Sequence, residues 1–378
     1  MKKIVFNQPS LIDKELEYIF DAIKNHKKIS GDGFYTAKSR QYLKNYLNAK
    51  DVLLTHSCTA ALEMAAILLD LKVGDEVIMP SYTFVSTANA FVLRGAVPVF
   101  VDIKLDDLNI DENLIEQAIT SKTKVIAVVH YGGVACEMDK VMAIAKKHNL
   151  FVVEDAAQAL GSKYKGKKLG TIGHFGCLSF HETKNIISGE GGALIINDES
   201  YIERAEIIRE KGTNRAKFFQ GQVDKYTWVD VGSSFLPSDI IAAYLYSQLE
   251  NIDLINNRRM EIWNFYNKLF GKYEALGHIQ IPKIPDHSEF NAHLYCVLFK
   301  NNKIRGQFIE FLKQESISAI FHYIPLHSSP AGLKYGNTPF DMRVTDKVSE
   351  TLVRMPLFYD LSDGQLDHIA KKVEEFFK

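Results

Sequence analysis

The order of apolar and polar stretches predicts a strand–helix–strand unit in the first half of the chain. Continuous apolar runs in VIAVVHYGG (125–133) and LFVVEDAAQAL (150–160) end in polar residues, and MDKVMAIAKKHN (138–149) between them has helical spacing. Strands that are apolar on both faces are typical of a parallel sheet covered by helices. The pattern therefore predicts an α/β fold.

The same patterns predict elements in the rest of the chain. Helices are expected over 11–26, 38–47, 60–71, 201–212, within 240–270, around 308–314 and over 365–377, and strands over 52–54, 194–197, 293–299 and 317–323, with strand–helix–strand over 76–103. The segment 213–239 has no clear periodicity, which at that length indicates a lid or an interface segment. This order predicts a large domain over 1–250 and a small C-terminal α+β domain over 251–378.

Composition narrows the class of protein. The chain has 378 residues, 46% of them hydrophobic and 24% charged, with a formal net charge of −1, which is ordinary for a globular protein. Near-neutral charge argues against nucleic acid or a membrane surface as the main partner. The start, MKKIVFNQPS, lacks the apolar stretch of a signal peptide, and the four cysteines show no paired spacing. We therefore expect reduced thiols and a cytoplasmic location.

A polar elbow follows the strand at 52–54. The residues Thr55 to Thr59 (THSCT) precede a nearly all-apolar helix. Backbone N–H groups at such a helix start suit an anion, but Ser57 or Thr59 could equally be an ordinary helix cap. Phe84, just beyond a strand end, has two similar interpretations: it packs in the core, or it stacks on a ligand ring.

Two further positions carry candidate chemistry. Asp155 and Gln158 follow a buried strand, as does His130, and ligands of open α/β sheets bind beyond such strand ends. A carboxylate buried there requires a cation as its partner. Lys184 lies between a short apolar stretch and a glycine-rich exit in SFHETKNIISGEGG (179–192). Partial burial would make its amine nucleophilic, although a surface lysine before a turn is the alternative.

The elbow, the strand-end acid and the lysine fit one cofactor when they are taken together. Pyridoxal 5′-phosphate (PLP) carries a phosphate, a basic ring nitrogen and an aldehyde. The helix N-terminus would bind the phosphate, Asp155 would keep the ring nitrogen protonated, and Lys184 would bind the aldehyde carbon.

The motifs resemble a known family. SFHETKNIISGEGG, VVEDAAQ, PSYTFVSTANA and HYIPLH, in this order and spacing, resemble the DegT/DnrJ/EryC1/StrS aminotransferases over almost the whole chain. The resemblance implies PLP-dependent transferase fold type I, in which a large domain has a mixed, mostly parallel sheet flanked by helices, with a small C-terminal α+β domain. It also implies transamination of a nucleotide-linked keto-sugar in a homodimer.

The resemblance further implies roles for individual residues. Lys184 would carry the cofactor and act in catalysis together with Asp155, which would pair with the ring nitrogen. The other implied cofactor contacts are Cys58, Thr59, Phe84, Gln158 and Ser179. The implied substrate contacts are His181, Arg215, Tyr323 and His327. One departure concerns the motif GSSFL (232–236), where many members carry an Asn and often a basic residue two positions later; Leu236 places the cross-subunit phosphate contact in doubt.

Within the family, FHETKN, IREKGTN, GQVDKYTW and FHYIPLH resemble the branch that makes dTDP-4-amino-4,6-dideoxygalactose for enterobacterial common antigen. That branch implies L-glutamate and a dTDP-4-keto-6-deoxyhexose as substrates. Alternatives are amination at C3, the gluco epimer, and a non-catalytic sensor that keeps the pocket. A zinc enzyme built on His322 and His327 is disfavoured, because no Cys or Glu cluster supports it; no metal is expected.

Overall fold

The computed structural model describes residues 3–219 and 221–378. Met1 and Lys2, the first residues of the stretch considered as a signal peptide, lie outside these ranges. Among the described residues, no helix combines the length and the apolar character that crossing a membrane requires. The cytoplasmic location stays a prediction.

The predicted alternation of helices and strands is present along the chain. The strands are β1 (Asp51–Thr55), β2 (Glu76–Pro80), β3 (Val97–Val101), β4 (Thr123–Val129), β5 (Phe151–Asp155), β6 (Lys163–Tyr164), β7 (Lys167–Lys168), β8 (Phe175–Ser179), β9 (Gly192–Ile196), β10 (Ile279–Gln280), β11 (Ser288–Glu289), β12 (Tyr295–Phe299) and β13 (Leu352–Met355). The helices are α1 (Glu15–Asp21), α2 (Phe34–Leu47), α3 (Cys58–Leu68), α4 (Val85–Val92), α5 (Glu112–Ile115), α6 (Met138–His148), α7 (Ile202–Arg209), α8 (Arg215–Phe219), α9 (Asp239–Glu250), α10 (Ile252–Ala275), α11 (Asn302–Gln314), α12 (Pro330–Tyr335), α13 (Arg343–Thr351) and α14 (Asp363–Phe376).

A large sheet has the strand order β1-β9-β8-β5-β4-β2-β3. The strand β9 is antiparallel to β1 and β8, while the other neighbouring pairs are parallel. Alternate side chains enter cores on opposite faces: Val52 and Leu54 pack in one cluster, and Leu53 packs in the other. The predicted mixed, mostly parallel sheet flanked by helices is confirmed. Its parallel strands place their carboxyl ends at one edge.

The C-terminal part has its own antiparallel sheet, β10-β12-β13, and its own core. The helix α10 joins the two parts, because Ile252 and Ile255 pack in the core of the large sheet and Ile262 packs in the C-terminal core. Ile4 also packs in the C-terminal core, and its N–H donates to the Ser316 carbonyl at 2.9 Å. The domain boundaries 1–250 and 251–378 stay predictions.

The strand predicted over 317–323 is wrong. The Ser318 N–H donates to the Ile4 carbonyl (2.9 Å), whereas Ile320 pairs on its other side with Arg354 through a single bridge. This segment changes its backbone partner after two residues, so no regular ladder forms. The apolar pattern does not encode which neighbour the backbone meets.

The helix predicted over 11–26 starts later than its apolar pattern. The Glu15 carboxylate accepts hydrogen bonds from the Ile12 and Asp13 amides, so the chain before α1 is held as a turn. A short π-helix (Ala22–His26) follows α1. The apolar side chains of this segment are not all core residues, since Leu16 is 66% exposed.

Candidate active site

A cavity of about 700 Å³ lies at the edge of the large sheet where the parallel strands end. It is lined by most residues that the sequence predicted for the site: Cys58, Thr59, Phe84, Asp155, Gln158, Ser179, His181, Lys184 and Tyr323. We give the name strand-end group to Cys58, Thr59, Asp155, Gln158, Ser179 and Lys184, which lie at or after the ends of β1, β5 and β8. The fold thus brings residues from distant parts of the chain into one cavity.

The elbow after β1 supplies the start of α3 to this cavity. Ser57 Oγ accepts a hydrogen bond from the Ala60 amide at 3.0 Å, so Ser57 is the helix cap, and Thr59 Oγ1 donates to Ser86 Oγ at 2.7 Å. A Cβ at Gly192 would lie 2.4 Å from the Cys58 nitrogen, so only glycine lets β9 pass this close to the elbow. A cap satisfies only one of the backbone N–H groups that are unpaired at the start of a helix. The remaining N–H groups can still bind an anion, so the cap and the anion site are compatible.

Asp155 is a buried carboxylate at the end of β5. Its Oδ2 accepts a hydrogen bond from Thr87 Oγ1 at 2.7 Å, and its Oδ1 accepts one from the Ala157 amide at 3.2 Å. Burial raises the pKa of Asp155, while the Thr87 hydroxyl and the Ala157 amide oppose that rise. No cation of the described residues lies within ion-pair distance of it. The Asp155 carboxylate is therefore buried as predicted, but the cation that was expected as its partner is not among the described residues.

His130 does not share the surroundings of Asp155, although both follow strands. His130 is fully buried, and its Nε2 lies 2.9 Å from a carboxylate oxygen of Glu154. Glu154 also accepts hydrogen bonds from the Ile172 and Gly173 amides, at 2.7 and 2.6 Å. This pair therefore holds the loop before β8 and does not reach the cavity.

Lys184 lies in the turn after β8, where its N–H donates to the His181 carbonyl at 2.9 Å. Burial lowers the pKa of the Lys184 amine, and the nearby carboxylate of Asp155 opposes that change. A lowered pKa increases the fraction of neutral amine near neutral pH, which is the nucleophilic form. Of the two interpretations of this lysine, the structure favours the functional one.

Gln158 connects the strand-end group to the C-terminal part. Its Oε1 accepts a hydrogen bond from the Gly132 amide at 2.7 Å, and its Nε2 donates to the Tyr323 hydroxyl at 2.8 Å. Phe84 lines the cavity with 56% of its surface exposed, so this ring is not a core residue. An exposed ring at a cavity mouth is available for stacking on a planar ligand.

Several functional candidates were missed by reasoning from sequence alone. The C-terminal part contributes a set of cavity-lining residues that we call the small-domain group: His293, His322, Tyr323 and Arg354. Of these, the sequence pointed to Tyr323 alone as a substrate contact. Arg354 did carry a signal, because it is a charged residue inside the otherwise apolar run LVRMPL. Thr87 lies one helical turn after Phe84, and that spacing could have indicated its contact with Asp155.

Two predicted substrate contacts lie elsewhere. Arg215 lines a separate polar cleft, where its guanidinium is 2.7 Å from Glu210. The His327 Nδ1 is 2.8 Å from Ser81 Oγ, and its Nε2 is 3.4 Å from Asp346. A Cβ at Gly31 would lie 2.4 Å from the Leu236 side chain, which shows that Leu236 packs on its own chain. The substrate roles of Arg215 and His327 stay predictions. Within the described ranges, no three His, Cys, Asp or Glu side chains gather as a metal site.

The groups that line the cavity fit the chemistry of PLP. An unpaired buried carboxylate at Asp155 matches a protonated ring nitrogen, and the amine of Lys184 matches an aldehyde. The start of α3 with the hydroxyls of Thr59 and Ser179 matches a phosphate. These three chemistries line one cavity.

Comparisons with known proteins agree with this site. The profile of the DegT/DnrJ/EryC1/StrS aminotransferase family matches residues 10–374. An uncharacterized protein of Methanocaldococcus jannaschii is 35% identical over 375 residues, covering 97% of this chain and 96% of its own length. GDP-perosamine synthase of Escherichia coli O157:H7 is 32% identical over 379 residues, covering 100% and 99%. Spr1654 of Streptococcus pneumoniae in its PMP-form has a TM-score of 0.90 at 29% identity, covering 99% of this chain and 98% of that chain; a PLP-form of it is also solved.

The fold and the cavity together define a PLP-dependent aminotransferase. The chain belongs to the DegT/DnrJ/EryC1/StrS aminotransferase family, and its activity is transamination of a nucleotide sugar. The predictions of fold type I, of PLP as cofactor and of an aminotransferase are thereby confirmed.

Proposed function

We propose that the enzyme transfers the amino group of L-glutamate to C4 of dTDP-4-dehydro-6-deoxy-D-glucose. The products are dTDP-4-amino-4,6-dideoxy-D-galactose and 2-oxoglutarate. The observation that carries the chemistry is the Lys184 amine in the same cavity as the unpaired carboxylate of Asp155. The choice of sugar is supported by the four segments that resemble the enterobacterial common antigen branch, two of which contribute Lys184 and Tyr323 to the cavity.

Under this proposal, PLP and Lys184 contribute different parts of the chemistry. PLP, when bound, supplies the group that accepts the amine and the ring that withdraws electrons from the reacting carbon. Lys184 Nζ takes the proton from the α-carbon of glutamate and later delivers a proton to C4 of the sugar. A group that is base and acid in turn works best with a pKa near the operating pH, and burial moves the pKa of Lys184 in that direction.

Asp155, which is 6% exposed, would hold a negative charge beside the ring nitrogen of bound PLP. The Thr87 hydroxyl orients the carboxylate through its 2.7 Å hydrogen bond. The 2.8 Å hydrogen bond between Gln158 and Tyr323 links the two parts of the chain at the cavity wall. Thr59 and Ser179 would bind the phosphate, and Phe84 would stack on the ring.

The enzyme is also proposed to be a homodimer with its active site at the interface. The N-terminal helical segment exposes Leu16, Phe20 and Ile23, and Trp228 is 80% exposed in the aperiodic segment 213–239. Arg215, which belongs to that segment, lines a cleft apart from the Lys184 cavity of its own chain. In a dimer, such a residue would serve the cavity of the partner.

Subunit mixing tests the dimer proposal. Lys184→Ala and Arg215→Ala proteins, each inactive alone, should regain activity when they are mixed under exchange conditions, because the mixed dimer contains one complete site. If Arg215 serves its own subunit, mixing restores nothing.

Product analysis tests the reaction. The purified enzyme with PLP and L-glutamate is given the dTDP-4-keto-sugar, and the product is examined by NMR. The galacto product places the C4 hydrogen equatorially, so both couplings of that hydrogen should be small. Large couplings would identify the gluco epimer, and turnover of a 3-keto-sugar alone would identify C3 amination. No turnover with any keto-sugar, including the GDP-linked one, would leave the sensor alternative.

A further inference from the structure

We propose that His293 accepts a hydrogen bond from the hydroxyl group at C3 of the keto-sugar and so helps to select that sugar. This inference rests on the proposed function, because it assigns a specificity contact to the substrate whose C4 ketone is aminated. His293 lines the same cavity as Lys184 and Asp155.

The backbone before β12 is held so that His293 faces the cavity. Ala292, which is fully buried, has a left-handed conformation with a φ of 50°. A residue with a Cβ rarely adopts this conformation without support from its surroundings. Arg259 supplies that support, since its Nε and Nη2 donate to the carbonyls of Ala292 and His293 at 3.2 and 2.5 Å. The position of His293 is therefore imposed by buried contacts.

One ring nitrogen of His293 is committed to Asn185. The Asn185 Nδ2 donates to the backbone carbonyl of Asn291 at 2.8 Å. A carbonyl oxygen only accepts, so this contact fixes which end of the Asn185 amide is nitrogen. The other end, Oδ1, lies 2.9 Å from His293 Nδ1. Because Oδ1 also only accepts, Nδ1 of His293 must carry the proton.

The second ring nitrogen of His293 is therefore a bare acceptor. Burial lowers the pKa of His293 well below its usual value, and the charges of Lys184, Arg259 and Arg354 act in the same direction. The ring is neutral near neutral pH, and with its proton on Nδ1 it has none on Nε2. Within the part of the chain that the structure describes, no residue donates a hydrogen bond to Nε2.

The neighbouring polar side chains do not offer an equally defined acceptor. Gln158 is engaged at both ends, with the Gly132 amide and the Tyr323 hydroxyl. His322 Nδ1 lies 2.6 Å from the Tyr131 hydroxyl. A hydroxyl both donates and accepts, so this contact does not determine which nitrogen of His322 carries the proton. In His293 the contact with Asn185 does determine it.

His293 also lies beside the reacting amine. Lys184 and His293 line both the main cavity and the smaller space that adjoins it. Asn185, the partner of His293, is the next residue after Lys184 in the chain. A ligand atom that meets His293 Nε2 is therefore close to the carbon on which Lys184 acts.

The chemistry of the two substrates decides which group meets this acceptor. The carboxylates of glutamate and the diphosphate of the keto-sugar only accept hydrogen bonds, so they cannot pair with a bare ring nitrogen. The hydroxyl groups of the sugar can donate. In a 4-keto-6-deoxyhexose, the hydroxyl group nearest to C4 is the one at C3, because C5 carries none. The amino group of glutamate also donates, but it is the group that passes through both halves of the reaction.

The experiment compares His293→Asn and His293→Gln holoenzymes with the wild type and with His278→Asn, which removes an exposed imidazole outside the cavity. The Asn amide reaches the position of Nδ1 and can keep the hydrogen bond to Asn185, but it has no atom at the position of Nε2. The Gln amide reaches the position of Nε2 and can supply an acceptor oxygen there. The two variants therefore separate the acceptor from the contact with Asn185.

Three measurements are made on these proteins. The first is calorimetric binding of dTDP-6-deoxy-D-galactose, which has no ketone, and of its 3-deoxy analogue. The second is the single-turnover rate of the glutamate half. The third is the ¹⁵N NMR spectrum of histidine-labelled wild type, in which the signals that disappear in His293→Gln identify the two ring nitrogens of His293.

We expect the wild type to bind the 3-hydroxy sugar about 5- to 50-fold more tightly than the 3-deoxy sugar. His293→Asn should reduce this preference to within about twofold, His293→Gln should retain part of it, and His278→Asn should match the wild type. The glutamate half should stay within about threefold in every variant, and the NMR signals should place the proton on Nδ1.

A His293→Asn protein that keeps the wild-type preference would overturn the assignment, as would equal binding of the two sugars by the wild type or a proton on Nε2. Loss of the glutamate half in His293→Asn would instead assign the imidazole to the amino group that both substrates share. If the wild type turns over no dTDP-keto-sugar, the proposed function fails, whereas the sugar-binding comparison and the NMR spectrum still decide the contact.

Discussion

The strand-end group and the small-domain group line one cavity but are built differently. Asp155 and Lys184 of the strand-end group follow apolar runs, and the sheet places them at one edge whatever their neighbours are. His322 and Tyr323 of the small-domain group lie on chain without regular structure, and Arg354 is held by that chain. Under the proposed function, the first group would supply the chemistry that both substrates need, and the second would contact the parts in which the substrates differ. Damage to the first should affect both halves of the reaction equally, and damage to the second should not.

The largest effect is expected for Lys184→Ala. If Lys184 moves the proton in both halves, as proposed, removal of its amine should lower kcat by about 10²–10⁴-fold or more. Release of 2-oxoglutarate and amination of the keto-sugar are measured separately in single turnovers. Lys303→Ala, which removes an exposed amine of α11, serves as the control. A Lys184→Ala enzyme that aminates the sugar at the wild-type rate would contradict the role.

Asp155→Asn should give the next largest loss. The amide keeps the shape of the side chain and an oxygen for Thr87, but it removes the charge beside the ring nitrogen. The cofactor should stay bound, with kcat reduced by about 10²–10³-fold in both halves. Absorbance of the bound cofactor and the two single-turnover rates measure this. A reduced rate in only one half of the reaction would contradict the proposed difference between the strand-end group and the small-domain group.

Asp155 and Lys184 of the strand-end group could be predicted from local signals in the sequence, whereas Cys58 and Ser179 were implied only by the family resemblance. Asp155 and Lys184 each adjoin an apolar run, and the chemistry of acid, amine and helix start needs no knowledge of distant contacts. Ser57 shows the limit of that approach: a cap and an anion site predict the same residues, and only the structure shows that they coexist.

The small-domain group depends on tertiary contacts that no local pattern encodes. The run over 317–323 was predicted as a strand, yet its backbone partners are Ile4, near the start of the chain, and then Arg354, which are both distant in the sequence. Arg354 lines the cavity on a strand whose backbone exchanges hydrogen bonds with Ile320, a contact that its own sequence neighbours do not indicate. Thr87 was overlooked for the same reason, since a threonine in a helix acquires a role only from the carboxylate that it faces.

Tyr323→Phe should have a moderate and unequal effect. The change leaves the Gln158 amide without its acceptor in a buried site, which costs about 1–3 kcal/mol. We expect kcat/KM for the keto-sugar to fall by roughly 5- to 100-fold, and kcat/KM for glutamate to fall less. Steady-state kinetics with each substrate varied measures the difference, and Tyr335→Phe, on an exposed ring, is the control. Equal losses for both substrates would mean that Tyr323 contributes to both halves of the reaction, as is proposed for the strand-end group.

The smallest expected effect is on stability. It tests whether burial lowers the pKa of Lys184 before the cofactor binds. Burial lowers the pKa of Lys184 below the usual value of 10.5, so between those two values the unfolded chain binds a proton that the folded chain does not. The stability of the cofactor-free wild type should therefore rise with pH across this window. In Lys184→Met that contribution is absent, so the variant should melt at a higher temperature near neutral pH. The difference should shrink as the pH approaches 10.5. Thermal melts of both proteins over this range, with Lys303→Met as the exposed control, measure it. A constant difference would mean that the amine is not desolvated until the cofactor binds.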